Sequence, residues 1–334
     1  MKQSPTPSKR SYLLLLLVVL AVAFGVYSLT GGRLLDFGLL GRTEKRPSDL
    51  DANLTYGLKY IPSSAHALER DGIVLINTGS QVVARELSSD IKVEAGDIAE
   101  KSSRPIVRMA ESVGYLYLYD GETVYRLQIG GDGKPHTAVK SCRKFEVMGD
   151  YIYSLQEYRG STRLYRCSLV GSYEKQLFGA DVLDFWAYGG NLLTLESNGN
   201  YRWYHVVTQN SLEHTLPKAL SGLALDSEGI LYLLDGTLKK RPYLEQDDSV
   251  LAEDIQSFIS GPTMLALLKE DGSVWLCQPD GTELTRLGDM TFEASAALDL
   301  SETAAFVTQP DGSVWSTPLE NVKWSMVYTP SVPS

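Results

Sequence analysis

One pattern occurs seven times along most of the chain. Each copy has an alternating apolar strand, a tight glycine-containing turn and a second strand, and the copies occupy residues 71–86, 113–127, 149–167, 189–206, 228–244, 261–278 and 301–318. The turn glycines are Gly79, Gly121, Gly160, Gly199, Gly236, Gly272 and Gly312. The first and last are 233 residues apart (312 − 79), so the six intervals average about 39 residues, near the length of a four-stranded propeller blade.

The turn chemistry explains how each copy folds back on itself. Asp-Gly at 120–121, 235–236, 271–272 and 311–312 suits two-residue hairpins, which need positive φ at central positions. The strand YLYLY at 115–119 is apolar on both faces, which is typical of a sheet packed between two others. Further short strands precede most copies, for example at 145–150 and 222–229, and a polar turn closes each unit. We therefore count four strands per repeat.

These repeats predict an all-β fold, a seven-bladed β-propeller over residues 53–334. Six and eight blades are the alternatives, because the pattern is weakest at its ends. A β-sandwich has no reason to repeat one motif at a fixed period. We expect residues 54–60 to pair beside residues 321–329, because closing the ring would cover edge strands.

Two segments carry a resemblance to known propellers. VYRLQIGGDG at 124–133 and RLYRCSLVGS at 163–172 resemble the strand-and-turn signature of bacterial extracytoplasmic β-propellers of unknown function, which are related to the YWTD propellers of low-density-lipoprotein receptors. No repeat contains Tyr-Trp-Thr-Asp itself. Residues 265–277 and 304–316 also resemble the repeat of regulators of chromosome condensation, although the His and Gly positions of that family are absent. Both resemblances imply a propeller, and neither implies a functional residue.

The N-terminal region predicts a membrane span. Residues 12–29 contain no charge and no proline, and eighteen helical residues extend about 27 Å, close to a hydrocarbon core of about 30 Å. We predict a cytoplasmic tail at 1–10, a transmembrane signal-anchor at 11–30, and a linker at 31–52 whose apolar piece, residues 34–40, would lie on the membrane or dock on the domain. A cleaved signal peptide is the alternative, since Ala21-Val22-Ala23 offers a cleavage site and the product would be secreted.

Charge separates the two parts of the chain. Lys2, Lys9 and Arg10 give residues 1–30 a charge of +3. Because the net charge of the chain is −10, the remaining residues carry −13. Because Lys9 and Arg10 adjoin the predicted span, we expect the C-terminal domain to be extracytoplasmic in a single-pass protein of the cell membrane. An acidic domain repels phosphate backbones, so we expect no nucleic-acid partner.

The residues that usually bind metals or cofactors form no pattern. The three cysteines lack CxxC spacing and the four histidines lack HxH or HExxH spacing, so we expect no metal site and no cofactor. Cys142 and Cys167 leave two alternatives, a disulfide between adjacent strands or buried thiols that act as small apolar groups. The cysteines are Cys142, Cys167 and Cys277, and the histidines are His66, His136, His205 and His214.

Carboxylates and aromatic rings are the remaining candidates for function. Propellers that cleave glycans need two acids, and the acids near innermost strands are Glu111, Asp184, Asp226 and Asp299. We assign Trp275 and Trp315, which occupy equivalent places in consecutive repeats, to packing between blades. The other aromatic residues could form an exposed patch for a glycan or protein partner or could pack between blades, and they are Trp186, Tyr188, Tyr201, Trp203 and Tyr204.

The sequence thus favours a non-enzymatic, membrane-anchored propeller that binds a protein or cell-envelope ligand, with catalytic residues unknown. The alternative is a propeller enzyme that acts on polysaccharide through carboxylates at the central channel. A third hypothesis is a structural subunit of an envelope assembly, in which the membrane helix makes the contact.

Overall fold

The computed structural model describes residues 63–330, apart from residues 71, 80, 81, 87, 88, 95–103, 130–133, 179 and 180. Every regular element in this part of the chain is a β-strand, and none of its segments is a helix long and apolar enough to cross a bilayer. The predicted signal-anchor at 11–30 and the predicted closing strand at 54–60 lie outside the described residues.

Six four-stranded antiparallel sheets and one five-stranded sheet confirm the all-β, seven-bladed propeller. The short strand β1 (Ser63–Ser64) is the fifth strand, and it pairs with the first strand of blade 2. Blade 1 comprises β2 (Ala67–Arg70), β3 (Ile73–Asn77), β4 (Val82–Glu86) and β5 (Ser89–Glu94). Blade 2 comprises β6 (Arg108–Ser112), β7 (Tyr115–Tyr119), β8 (Val124–Gln128) and β9 (His136–Val139). Blade 3 comprises β10 (Cys142–Met148), β11 (Tyr151–Tyr158), β12 (Ser161–Ser168) and β13 (Lys175–Gln176).

The remaining blades continue the same order along the chain. Blade 4 comprises β14 (Val182–Tyr188), β15 (Asn191–Glu196), β16 (Tyr201–His205) and β17 (Ser211–His214). Blade 5 comprises β18 (Gly222–Leu225), β19 (Gly229–Leu234), β20 (Thr237–Pro242) and β21 (Ser249–Ala252). Blade 6 comprises β22 (Ile255–Ser260), β23 (Leu265–Lys269), β24 (Ser273–Cys277) and β25 (Thr285–Thr291). Blade 7 comprises β26 (Ala297–Leu300), β27 (Ala304–Thr308), β28 (Val314–Pro318) and β29 (Ser325–Tyr328).

The core is divided into apolar clusters, one in each gap between neighbouring blades. Strand β7 shows how one sequence serves two gaps. Leu116 and Leu118 pack toward blade 1, whereas Tyr117 and Tyr119 pack toward blade 3. Because successive strand residues point to opposite faces, a sheet between two others must be apolar on both.

Each blade has two ends, which the turns define. Adjacent strands are antiparallel, so the turns that follow the first and third strands share one end, which we call the lower end. The turns after the second strand and the connections between blades form the upper end. The seven turn glycines predicted from the repeat lie at the upper end, and all have positive φ.

Ring closure joins two complete blades. The Ala67 N–H donates to Asp299 Oδ2 across 3.2 Å, and Thr303 Oγ1 donates to Glu69 Oε2 across 2.9 Å. An apolar cluster that includes Val74 and Phe306 fills the same gap. In the described residues the sheets of blades 1 and 7 each consist of four consecutive strands, so these two hydrogen bonds and the apolar cluster hold blade 7 against blade 1.

The cysteines are free, buried thiols. Cys142 lies on β10 and Cys167 on β12, and β11 separates the two strands, so a disulfide between adjacent strands does not form. Burial raises the pKa of Cys142 to about 12 and that of Cys277 to about 11. Both therefore remain protonated and unreactive at neutral pH.

We expect the native chain to resist a water-soluble thiol reagent at pH 8. Reaction requires the thiolate and access to solvent, and burial withholds both. The absorbance of the chromophore that the reagent releases should rise only after addition of denaturant, when all three protein thiols become accessible. Rapid reaction of one thiol in the native chain would contradict the buried positions.

Candidate functional site

The innermost strands of blades 2 to 6 surround a cavity of about 200 Å³ on the propeller axis, which we call the channel pocket. Its wall combines charged residues of β6 and β10 with the indole of Trp186 on β14 and apolar residues of β18 and β22. The propeller fold produces this arrangement, because radial blades turn their innermost strands toward a common axis.

Two ion pairs form one side of the channel pocket. Arg108 Nη2 lies 2.7 Å from Glu146 Oε1, and Lys144 Nζ lies 2.8 Å from Asp184 Oδ1. Lys144 Nζ also lies 4.6 Å from the centroid of the Trp186 ring, within range of a cation–π contact. The Arg108 and Lys144 side chains retain 34% and 23% of their exposure, so part of each reaches solvent.

The opposite side of the channel pocket is apolar. Leu223, Ala224 and Leu225 of β18 and Ile259 of β22 line it, and Ser260 of β22 adds a hydroxyl group to the pocket lining. A molecule in the pocket would therefore meet ion-paired Arg108 and Lys144, with the Glu146 carboxylate, on one side and mainly hydrocarbon on the other. This is the composition of a small-molecule or side-chain site, in which apolar walls give area and a few polar groups fix orientation.

Tyr188 crosses the lower end of the channel pocket. It is the last residue of β14, and its Oη donates to the carbonyl oxygens of Gly261 and Pro262, at 3.1 and 3.0 Å. The contact links blade 4 to blade 6, past blade 5. Burial raises the pKa of Tyr188 to about 12, so the phenol keeps its proton and donates at neutral pH.

The four carboxylates predicted from sequence are dispersed around the ring. Glu111 Oε1 accepts the Gly114 N–H at 3.0 Å, and Asp226 Oδ1 accepts the Gly229 N–H at 2.8 Å, so both cap turns at the lower end. Asp184 pairs with Lys144 at the channel pocket. Asp299 lies at the junction of blades 7 and 1. Burial raises its pKa to about 7, although hydrogen bonds from Ser64 and the Ala67 N–H act to lower it.

The predicted aromatic patch is divided between several environments. Trp203 is buried, stacks on Tyr243 with centroids 5.0 Å apart, and donates to Asn191 Oδ1 at 2.9 Å. Tyr204 lies on the opposite face of the same strand, against Phe178. Packing between blades therefore explains these residues, and of the predicted aromatic residues Trp186 and Tyr188 line the channel pocket.

The prediction that Trp275 and Trp315 pack between blades is confirmed. Trp275 packs on the cluster between blades 5 and 6, and Trp315 on the one between blades 6 and 7.

The histidines are scattered across the ring. His214 is buried with Nε2 3.0 Å from the Tyr243 carbonyl oxygen, whereas His136 at the start of β9 is exposed. The main-chain N–H of His66 donates to Ser64 Oγ near the ring closure, and Nδ1 of the His205 ring accepts the Thr208 N–H. Among the described residues, no three His, Cys, Asp or Glu side chains are grouped to hold a metal ion.

Arg108, Lys144 and Glu146 were not identified from sequence, although a signal for them exists. The ion pairs of the channel pocket join residues that are 38 and 40 positions apart, close to one repeat. Opposite charges one repeat apart on innermost strands are brought together at the axis. A search for charges at the repeat interval would have indicated both pairs.

Comparison with known proteins supports the fold. No family model matches the chain, and no curated protein matches it. PorZ, a surface component of the type-IX secretion system of Porphyromonas gingivalis, is similar with a TM-score of 0.58 at 15% identity over 82% of this chain and 39% of that chain. The computationally designed protein Ika8 is similar with a TM-score of 0.53 at 12% identity over 81% and 86%.

A third solved structure, YCF48 bound to D1 peptide, has a TM-score of 0.51 at 11% identity over 74% of this chain and 91% of that chain. At these identities the likeness concerns the fold. A seven-bladed propeller is consistent with a binding or scaffold module, and propellers serve many unrelated functions.

Proposed function

We propose that this chain is a membrane-anchored, extracytoplasmic propeller that binds a protein or cell-envelope ligand without chemical conversion. The observation that carries the proposal is the channel pocket, with donors from Arg108 and Lys144 facing the apolar side chains of Leu223 and Ile259. A ligand segment with an oxygen-rich group beside a short apolar stretch would complement both sides.

Three features support binding at the channel pocket. Glu146 orients Arg108 and Asp184 orients Lys144, which reduces the entropy lost when they bind a ligand oxygen. Trp186 offers a ring beside them. Similar propellers include a structure with a bound peptide and a bacterial surface component, which agrees with a peptide or envelope ligand.

The proposed anchoring is supported by the sequence. The apolar run at 12–29 and the basic residues Lys9 and Arg10 before it favour a signal-anchor with the propeller outside the cytoplasm. Protease treatment of intact cells should degrade the propeller and leave the short N-terminal tail.

We expect Lys144→Ala to weaken ligand binding about tenfold or more, because a hydrogen bond to a charged group contributes about 1.5–3 kcal/mol. The ligand can be captured by a photo-crosslinking residue at Ala224, and adduct yield can then be measured against ligand concentration. Arg143→Ala is the matched control, since Arg143 adjoins Lys144 in sequence but pairs with Glu157 in solvent. Equal loss in both variants, or no loss in Lys144→Ala, would refute the channel pocket as the binding site.

The enzymatic alternative makes a separate prediction. If the chain cleaves polysaccharide, the full chain should hydrolyse a glycan panel, and Asp299→Asn should abolish the activity, because Asp299 is the candidate acid with a pKa near neutrality. The structural-subunit hypothesis predicts that exchanging residues 11–30 for an unrelated span would remove the partners. Our proposal expects no hydrolysis and unchanged partners.

A further inference from the structure

Three lysine or arginine side chains are buried in the part of the chain that the structure describes, and two of them face a carboxylate. Lys240 Nζ lies 2.8 Å from Asp226 Oδ2. Arg241 Nε lies 2.7 Å from Asp248 Oδ1. Arg166 on β12 is 3% exposed and forms no ion pair with any described residue. A buried charge without a counter-ion is costly, so Arg166 needs an explanation that packing does not give.

The guanidinium group of Arg166 lies on a tyrosine ring. Its Cζ is 4.1 Å from the centroid of the Tyr151 ring, which is a cation–π contact. Such a contact stabilises the cation but does not neutralise it. Among the nitrogens of Arg166, only Nε is sealed from solvent without a hydrogen-bond partner. An anion from solution would therefore approach through the two Nη atoms.

A second cation lies beside Arg166 on the same face of blade 3. Lys175 of β13 is directly opposite Arg166, and Tyr153 of β11 is opposite Arg166 on the other side. Residues directly opposite each other share one face of a sheet, and like charges in such a pair destabilise it. Lys175 is exposed, so its ammonium group meets solvent next to the buried guanidinium.

Blade 4 contributes a phenol from across the gap. Tyr204 of β16 packs on the apolar cluster between blades 3 and 4. Burial raises the pKa of Tyr204 and the positive charge of Arg166 acts to lower it, so the two groups interact across the gap. Tyr151 begins β11, and Arg166 and Tyr204 lie close to the ends of β12 and β16, so all three are near the lower end.

The carboxylates on the two faces of this gap are already paired with other cations. Glu146 Oε1 lies 2.7 Å from Arg108 Nη2. Glu196 and Glu213 both pair with Arg202, at 2.7 and 3.0 Å. None of them is therefore available to neutralise Arg166.

The acids of the adjoining turns do not neutralise it either. Glu174 accepts a hydrogen bond from Gln156, on the opposite face of blade 3. Asp150 is exposed in the turn before Tyr151 and forms no ion pair with Arg166. The lower end of this gap thus holds two neighbouring cations that lack a counter-ion among the described residues.

We propose that Arg166 and Lys175 bind a phosphate group at the lower end of the gap between blades 3 and 4, with the phenol of Tyr204 beside it. The Nη atoms of an arginine match two oxygens of a phosphate, and a lysine adds a point charge. Two cations match a doubly charged phosphate better than a singly charged carboxylate. None of these residues lines the channel pocket, so the inference goes beyond the proposed function and does not depend on it.

Calorimetric titration of the purified full chain with inorganic phosphate tests the site, at a slightly alkaline pH where the ion is mostly doubly charged. Arg166→Met should weaken binding about a hundredfold or more, because two charge-assisted hydrogen bonds are lost. Lys175→Gln should weaken it about threefold or more. Lys140→Gln is the matched control, because Lys140 is also exposed but follows β9 at the upper end, and it should bind as the natural chain does.

Thermal unfolding separates binding from a structural role of Arg166. Phosphate should raise the thermal midpoint of the natural chain and leave that of Arg166→Met unchanged, since a ligand stabilises only the state that binds it. Lys175 is exposed, so Lys175→Gln keeps the fold and decides the question even where Arg166→Met does not fold. Absence of phosphate binding to the natural chain would overturn the inference, and so would equal binding by Lys175→Gln and Lys140→Gln.

Two further titrants identify the anion and its source. Acetate should bind far more weakly than phosphate, and equal affinity would overturn the phosphate assignment in favour of a carboxylate site. Glycerol 3-phosphate distinguishes an esterified phosphate from the free ion. Affinity at least equal to that of inorganic phosphate would show that the group enters as part of a larger molecule, and much weaker binding would assign the site to free phosphate.

Discussion

Replacing Gly171 with alanine should lower the free energy of unfolding by about 3 kcal/mol or more, one of the largest effects that we expect from a single methyl group in the described residues. Two costs add. Gly171 has φ +78°, where an L-residue loses roughly 1–2 kcal/mol. A Cβ there would also lie 2.1 Å from the Ala138 carbonyl oxygen, and overpacking against main chain costs about 1–3 kcal/mol more.

Gly160→Ala is the matched control for this prediction. Gly160 belongs to the same blade and has φ +81°, but no atom lies within 4 Å of the added Cβ. The variant should therefore lose only the backbone cost of about 1–2 kcal/mol. Urea unfolding of both variants separates the two costs, and equal midpoints would show that blades 2 and 3 do not approach each other closely at Gly171.

The blades could be predicted from sequence because their information is local and repeated. Each turn glycine specifies its own hairpin, and the alternation at 115–119 predicts a sheet covered on both faces, as the clusters around Leu116 and Tyr117 confirm. For Cys142 and Cys167 the sequence leaves two alternatives, a disulfide or two buried thiols. The choice depended on β11 lying between their strands, which spacing alone does not reveal.

The candidate site depended on information that is not local. Arg108 meets Glu146 only because blade 2 adjoins blade 3 at the axis, and Lys144 meets Asp184 for the same reason one blade later. The sequence leaves two alternatives for the aromatic residues, an exposed patch or packing between blades, and a local rule decides between them for two of these residues. Trp203 and Tyr204 are consecutive strand residues, so they must point to opposite faces and cannot form one patch.

Asp299 provides the second large effect, because its carboxyl group is buried where the ring closes. Burial raises its pKa from 3.8 in the unfolded chain to about 7 in the folded one. Between pH 3.8 and pH 7 the carboxyl group therefore stays protonated in the folded chain but ionises in the unfolded chain. Its contribution to stability is full below pH 3.8, falls as pH rises from 3.8 to 7, and is constant above that.

The Asp299→Asn variant should remove this dependence on pH. Between pH 5 and pH 8 the ionising carboxyl costs the folded state about 2–3 kcal/mol, since each unit of pKa difference corresponds to about 1.4 kcal/mol. Asparagine keeps an acceptor for the Ala67 N–H and never ionises. The variant should therefore be more stable than the natural chain at pH 8 and nearly equal to it at pH 4, in thermal or urea unfolding followed by tryptophan fluorescence.

Asp299→Ala distinguishes charge from hydrogen bonding at the closure. It also removes the pH dependence, but it leaves the Ala67 N–H without its acceptor, so it should be less stable than Asp299→Asn at every pH by about 1–3 kcal/mol. If Asp299→Asn and the natural chain keep the same dependence on pH, the carboxyl ionises without cost. Closure would then depend on the Thr303–Glu69 hydrogen bond and the cluster around Phe306, and Asp299 would lose the near-neutral pKa that makes it a candidate acid.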